Sequence, residues 1–143
     1  FLESSAQMWV ATPPAIELRI AEPPTFLGGA SADGIRSHWI RLPRNVADPA
    51  MHASLLAYAS DYLLLDMAFR SHPVGRGSSG LIGLSLDHAI WFHREVDFSR
   101  WHQYTQETLA INGERGLVRG SIHDDAGHLV ATATQEVLVR ERP

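Results

Sequence analysis

Four residue settings in this chain hold groups that could do chemistry. The first is the run Asp87-His88-Ala89-Ile90-Trp91-Phe92-His93-Arg94, with a carboxylate beside one imidazole and a second imidazole five residues on. A carboxylate and imidazoles together suggest proton transfer or a metal site. A regular strand defeats both, because successive side chains point to opposite faces. Asp87 and His88 then diverge, and so do His88 and His93; only a bulge would change that parity. The bland reading therefore leads, with both histidines hydrogen-bonded at strand edges or in the core. His38, His52, His72, His102, His123 and His128 make no helical i, i+4 pair and no HExxH pattern. No metal site and no cofactor are expected.

The second is Asp61, in Leu55-Leu56-Ala57-Tyr58-Ala59-Ser60-Asp61-Tyr62-Leu63-Leu64-Leu65, with apolar side chains at i−4, i+3 and i+4. A carboxylate on an apolar helix surface is costly unless something pairs with it, and desolvation would make it a better general base than a solvated one. An Asp at an exposed helix edge, or in a cap, fits the periodicity as well, and Asp66 shares the ambiguity. The third is Ser85, placed by strand parity on one face with Asp87, Ala89 and Trp91. It has no G-x-S-x-G elbow and is a poor nucleophile candidate. The fourth is Gln135, which shares a face with Ala131, Ala133, Val137 and Val139 and needs buried hydrogen-bond partners there.

These groups depend on elements legible in the chain. A short strand, Ile16–Ile20, lies between prolines, and a second covers 35–42, ended by Pro43. Asp48-Pro49 is an N-cap and first-turn pair. From Met51 to Phe69 there is no Gly, Pro, Arg or Glu, which predicts one helix on the order of 30 Å long. Little of its circumference suits water, so it should be buried. A membrane span is rejected, because Asp61 and Asp66 would each cost about 2.5 to 3.5 kcal/mol near a bilayer centre. After a flexible loop, Ser71–Gly80, four strands follow at Leu81–Arg94, Trp101–Ile111, Gly116–His123 and Leu129–Arg140. Turns are expected at Asn112-Gly113 and at Asp124–Gly127. This is an α+β plan, one long helix wrapped by a curved antiparallel sheet.

The 143 residues suit a single domain over 1–143, with an ordered core of about 15–140. Hydrophobic residues at 45% and charged residues at 20% are ordinary for a globular chain. The absence of cysteine removes disulfides, thiolate chemistry and Cys-based zinc sites. A net charge of −4, with the basic residues scattered as single arginines, gives no footprint for nucleic acid or an anionic membrane. The N-terminal stretch FLESSAQMWVATPP lacks the grading of a signal peptide and reads as a fragment boundary or processed end. A cytoplasmic location is the expectation.

Three pieces in order, Leu56-Ala57-Tyr58-Ala59-Ser60-Asp61, Ser85 through Arg94, and Ala131-Thr132-Ala133-Thr134-Gln135-Glu136, resemble the acyl-CoA thioesterase II family. Arg115–Gly120 and Asp125–Val130 match that family's last two strands. The resemblance covers about residues 15–140 and corresponds to the second of two hotdog domains. It implies hydrolysis of fatty acyl-CoA thioesters, with an attacking water held by Asp61, Ser85 and Gln135. The family usually has Thr where this chain has Ser85, and the hydroxyl is kept. It also implies a partner surface, filled by an N-terminal hotdog half or by a second copy in a homodimer. Two rival readings stand beside it: a hotdog hydratase or dehydratase using a His with a carboxylate, and a non-catalytic half that binds acyl chains or completes a partner's fold.

Overall fold

The computed structural model describes residues 15–30, 32, 34–73 and 80–141, together with Gln7 and Ala11. Residues 74–79 of the expected loop, and most of the N-terminal stretch, lie outside the described residues.

The strands are β1 (Glu17–Ile20), β2 (Ile35–Arg41), β3 (Leu81–Ser85), β4 (Ala89–Phe92), β5 (His102–Asn112), β6 (Arg115–His123) and β7 (Leu129–Glu141). They form one antiparallel sheet in the order β1-β2-β5-β6-β7-β3, and β4 pairs with β7 beyond β3. Tight turns join the long strands, with Gly113 at φ 59° and Gly127 at φ 84°, conformations that glycine adopts without a Cβ penalty. Between β2 and β3 run two helices, α1 (Pro49–Ser60) and α2 (Leu64–Ser71). The Asp48 side chain accepts the Ala50 N–H at 2.9 Å, and Pro49 opens α1, as expected of that pair.

Alternate residues of β7, Ala131, Ala133, Gln135, Val137 and Val139, are buried on the inner face. They meet Leu56, Leu64, Met67 and Ala68 from the helices in one core with Val118 and Ile122. Because α2 touches β3, β5, β6 and β7, the sheet curls around it. This is the hotdog architecture. Among the described residues no helix is long and apolar enough to cross a membrane.

The helical layer runs where expected but is interrupted at 61–63. Leu63 has φ 68°, which no continuous α-helix allows, and it separates α1 from α2. Asp66 is buried in the first turn of α2. Its carboxylate accepts from the Arg36 guanidinium at 2.5 Å and from the backbone and hydroxyl of Thr25 at 3.0 and 2.5 Å. Its ambiguity thus resolves as a paired structural carboxylate at a helix N-terminus.

Candidate functional site

The second departure from the expected elements makes the site. Leu81–Arg94 is not one strand. Ser85 lies opposite Val137 and Ala89 opposite Thr134, so four steps on one strand meet three on its neighbour. The extra residue is a bulge at Leu86-Asp87-His88, and it reverses strand parity. Ser85 stays on the inner side with Val137, but Ala89 and Trp91 lie opposite Thr134 and Thr132. The shared face expected for Ser85, Ala89 and Trp91 is therefore corrected.

Asp87 holds the bulge. The Leu86 N–H still reaches the Glu136 carbonyl at 2.9 Å, and the Asp87 carboxylate accepts the Glu136 N–H at 2.7 Å. The carboxylate thus satisfies a β7 donor at the point where strand pairing lapses. With parity reversed, His88 turns toward Gln135. Its Nδ1 lies 2.7 Å from Gln135 Oε1 and its Nε2 lies 2.8 Å from Ser60 Oγ. Gln135 Nε2 donates to Ser85 Oγ at 2.5 Å. Gln135, wholly buried, thereby finds the partners its apolar face demanded.

His88 is the residue that strand reasoning missed, since regular alternation sends it away from Ser85. The one available signal was the bulge condition itself, an acidic residue able to take up a stray backbone N–H. His93 diverges as expected and bonds Thr132 Oγ1 at 3.0 Å on the other side of β7.

Asp61 reaches the same place from the helical layer. It follows the last residue of α1 and lines a cleft of about 380 Å³ with Ala57, Tyr58, Tyr62, Ser85, Leu86, Asp87 and His88. The end of α1 is pinned by Tyr104, whose hydroxyl donates to the Ser60 carbonyl at 2.6 Å. Gly120 makes that reach possible, because a Cβ there would fall 2.1 Å from the Tyr104 ring. Asp61 is exposed at the C-cap of α1, so of the two placements its apolar neighbours allowed, the exposed helix end is the one the structure holds. Burial and the hydrogen bond to Tyr58 hold the Tyr62 phenol well above its usual range, so this wall of the cleft is a neutral hydroxyl.

Ser85, Gln135 and His88 are thus joined by hydrogen bonds, and Asp61 shares the cleft with Ser85 and His88. A carboxylate facing a hydroxyl held by an amide can take a proton from a water and aim its oxygen. Among the described residues no group of three or more His, Asp or Glu is arranged to hold a metal ion.

Comparison with known proteins identifies the family. Residues 3–139 match the family model for the acyl-CoA thioesterase C-terminal domain. Acyl-CoA thioesterase 2 of Haemophilus influenzae is 39% identical over 93 residues, 65% of this chain and 32% of that protein. Acyl-coenzyme A thioesterase 8 of Mus musculus is 32% identical over 130 residues, 90% of this chain and 40% of that protein. The crystal structure of an acyl-CoA thioesterase II from Mycobacterium marinum superposes with a TM-score of 0.73 at 34% identity, covering 90% of this chain and 50% of that one. The chain therefore spans between 32% and 50% of the length of these relatives. On the family match, and on the order of strand, helix and signature residues described above, this chain belongs to the acyl-CoA thioesterase C-terminal domain family.

Proposed function

We propose that this chain is the catalytic second half of an acyl-CoA thioesterase, which hydrolyses acyl-CoA to the free acid and CoA. The observation that carries the reading is the Gln135–Ser85 hydrogen bond opening on a cleft that Asp61 also lines. Asp61 takes a proton from a water as its oxygen bonds to the thioester carbonyl carbon. The C–S bond then breaks, and the proton passes to the departing CoA sulfur. Ser85 and Gln135 hold the water, and backbone N–H groups stabilise the oxyanion. No covalent enzyme intermediate is required.

The cleft is open on one side in the single chain. Leu84, Leu86, Trp91 and Phe92, all between 42% and 59% exposed, form an apolar margin along β3 and β4. Such a margin supports closure by an N-terminal hotdog half or by a second copy, with the acyl chain held between the two.

The hydratase reading has one observation in its favour, since His88 lines the cleft with Asp61. Against it, both ring nitrogens are engaged, by Gln135 and by Ser60, which leaves neither free to exchange a proton with substrate. The deciding experiment assays acyl-CoA hydrolysis and crotonyl-CoA hydration by the chain alone and with a candidate first-half partner. Hydrolysis that Asp61→Asn removes supports the proposal. Hydration without hydrolysis, or hydrolysis indifferent to Asp61→Asn in the assembly, overturns it.

A further inference from the structure

We infer that Tyr104 and Gln106 are positioning residues for Asp61, two inward side chains of β5 that clamp the backbone carbonyls on either side of it. The catalytic consequence rests on the reading of Asp61 as the base; the clamp itself does not.

Among the described residues no hydrogen bond holds the Asp61 carboxylate, so its place in the cleft is set by its backbone. That backbone lies in the break between α1 and α2. In a continuous helix the Ser60 carbonyl would accept the Leu64 N–H. Here the Leu64 N–H goes to the Asp61 carbonyl at 3.4 Å, and the carbonyls on both sides find donors in the sheet. The Tyr104 hydroxyl donates to the Ser60 carbonyl at 2.6 Å, and Gln106 Nε2 donates to the Tyr62 carbonyl at 2.8 Å. Asp61 is the residue between these two anchors.

The sense of each bond is fixed by its partners. A carbonyl only accepts, so the one Tyr104 hydrogen is committed to Ser60. Burial holds the Tyr104 phenol well above its usual range, so it keeps that hydrogen. The Gln106 carboxamide turns Oε1 to Arg36 Nη2 at 3.3 Å and Nε2 to the Tyr62 carbonyl. A guanidinium only donates and a carbonyl only accepts, so a reversed amide would lose both bonds.

The donors themselves are firmly held. Tyr104 and Gln106 are wholly buried, two residues apart on one face of β5, and lie opposite His38 and Arg36 of β2. The Tyr104 ring rests over Gly120, where a Cβ would fall 2.1 Å from it, and His38 packs edge-on against it. The clamp thus ties an exposed helix end to the packed sheet. Such precision matters to a base, because a misplacement of about 1 Å can cost about 10²-fold in rate.

Amide hydrogen exchange of the assembled protein tests the clamp without any activity. Tyr104→Phe keeps the ring over Gly120 and loses one O–H, whereas Gln106→Met keeps the length and loses the amide. Each is expected to speed exchange of the Tyr62 and Leu64 N–H groups at least about tenfold while amides of β6 and β7 keep their rates. Unchanged exchange at these two sites, or equal acceleration across the sheet, overturns the inference. Kinetics supply the second arm. Each variant should lower kcat at least about tenfold at little-changed KM, and should lower it little further when Asp61→Asn is already present. No loss, or a loss carried in full into the Asp61→Asn background, overturns the positioning role. Tyr104→Phe, the milder change, decides alone if Gln106→Met does not fold. Absence of hydrolysis by the wild-type assembly would sink the thioesterase reading, while hydrogen exchange would still decide the clamp.

Discussion

Leu63 offers its carbonyl oxygen to the Arg36 guanidinium at 2.9 Å, from the only positive-φ non-glycine backbone among the described residues. Left-handed backbone costs an ordinary residue about 1–2 kcal/mol, so something must hold it. Arg36, only 1% exposed, does so from β2 while pairing with Asp66 in α2. The break at Leu63 ends the helical run just beyond Asp61, so this ion pair positions the proposed base from a distance. Removing one partner of a buried pair typically costs 3–5 kcal/mol. Asp66→Asn and Arg36→Met should each lower stability by about that amount in chemical denaturation. A loss under about 1 kcal/mol would mean that the pair does not hold the break.

Asp61→Asn keeps the side-chain volume at an exposed position and removes only the proposed base. Since general-base assistance is worth about 10²–10⁴-fold, turnover of the assembled protein should fall at least about tenfold with unchanged melting. Retention of near wild-type turnover would assign the proton transfer elsewhere.

Ser85→Ala and Gln135→Ala should behave as one unit, because the two side chains share a hydrogen bond and, in the proposed mechanism, hold one water. A double variant should be little slower than the worse single one. Additive losses in log rate would separate their roles and return Gln135 to packing.

His38 packs edge-on to Tyr104, with ring centroids 5.3 Å apart and neither nitrogen hydrogen-bonded. Burial, and secondarily the Arg36 charge, lowers its pKa from 6.5 to about 3. The unfolded chain therefore takes up a proton below pH 6.5 that the folded chain refuses until about pH 3. This contribution is fully present above the unfolded pKa and is lost as pH falls, at about 1.4 kcal/mol per unit within that window. Urea titrations at several pH values should show a shallower acid slope for His38→Phe than for the wild type. Parallel slopes would place the acid sensitivity on other groups.

The apolar margin of β3 and β4 predicts no stable monomer at working concentrations. Burial of such surface is worth about 25 cal/mol per Å², so the chain should dimerise through this margin or copurify with a first-half partner. Light scattering decides; a monodisperse monomer at about tens of micromolar, melting cooperatively, would refute the expectation.

Much of this was legible in the chain because it depends on local pattern. Asp48-Pro49 announces the start of α1, the alternation of β7 announces its buried face, and Gly113 and Gly127 mark the turns. Gln135 stands out because an amide within an apolar alternation must find partners nearby. The family motifs add Asp61 and Ser85. What periodicity could not supply was the fate of Asp61, since apolar neighbours at i−4, i+3 and i+4 fit either a buried face or an exposed helix end.

Sequence by itself thus determined the fold class, the order of elements and which residues carry reactive groups, because hydrophobic period and turn chemistry act over a few residues. Tertiary structure alone decided how those groups meet. The bulge at Leu86–His88 exists because β7 pairs with β3 and β4 in registers one residue apart, and the helix break exists because Arg36, 27 residues before Leu63, captures its carbonyl. Both are long-range pairings. A short window of sequence contains one partner only, and so it could place His88 and Asp61 on their elements without showing which way either would face.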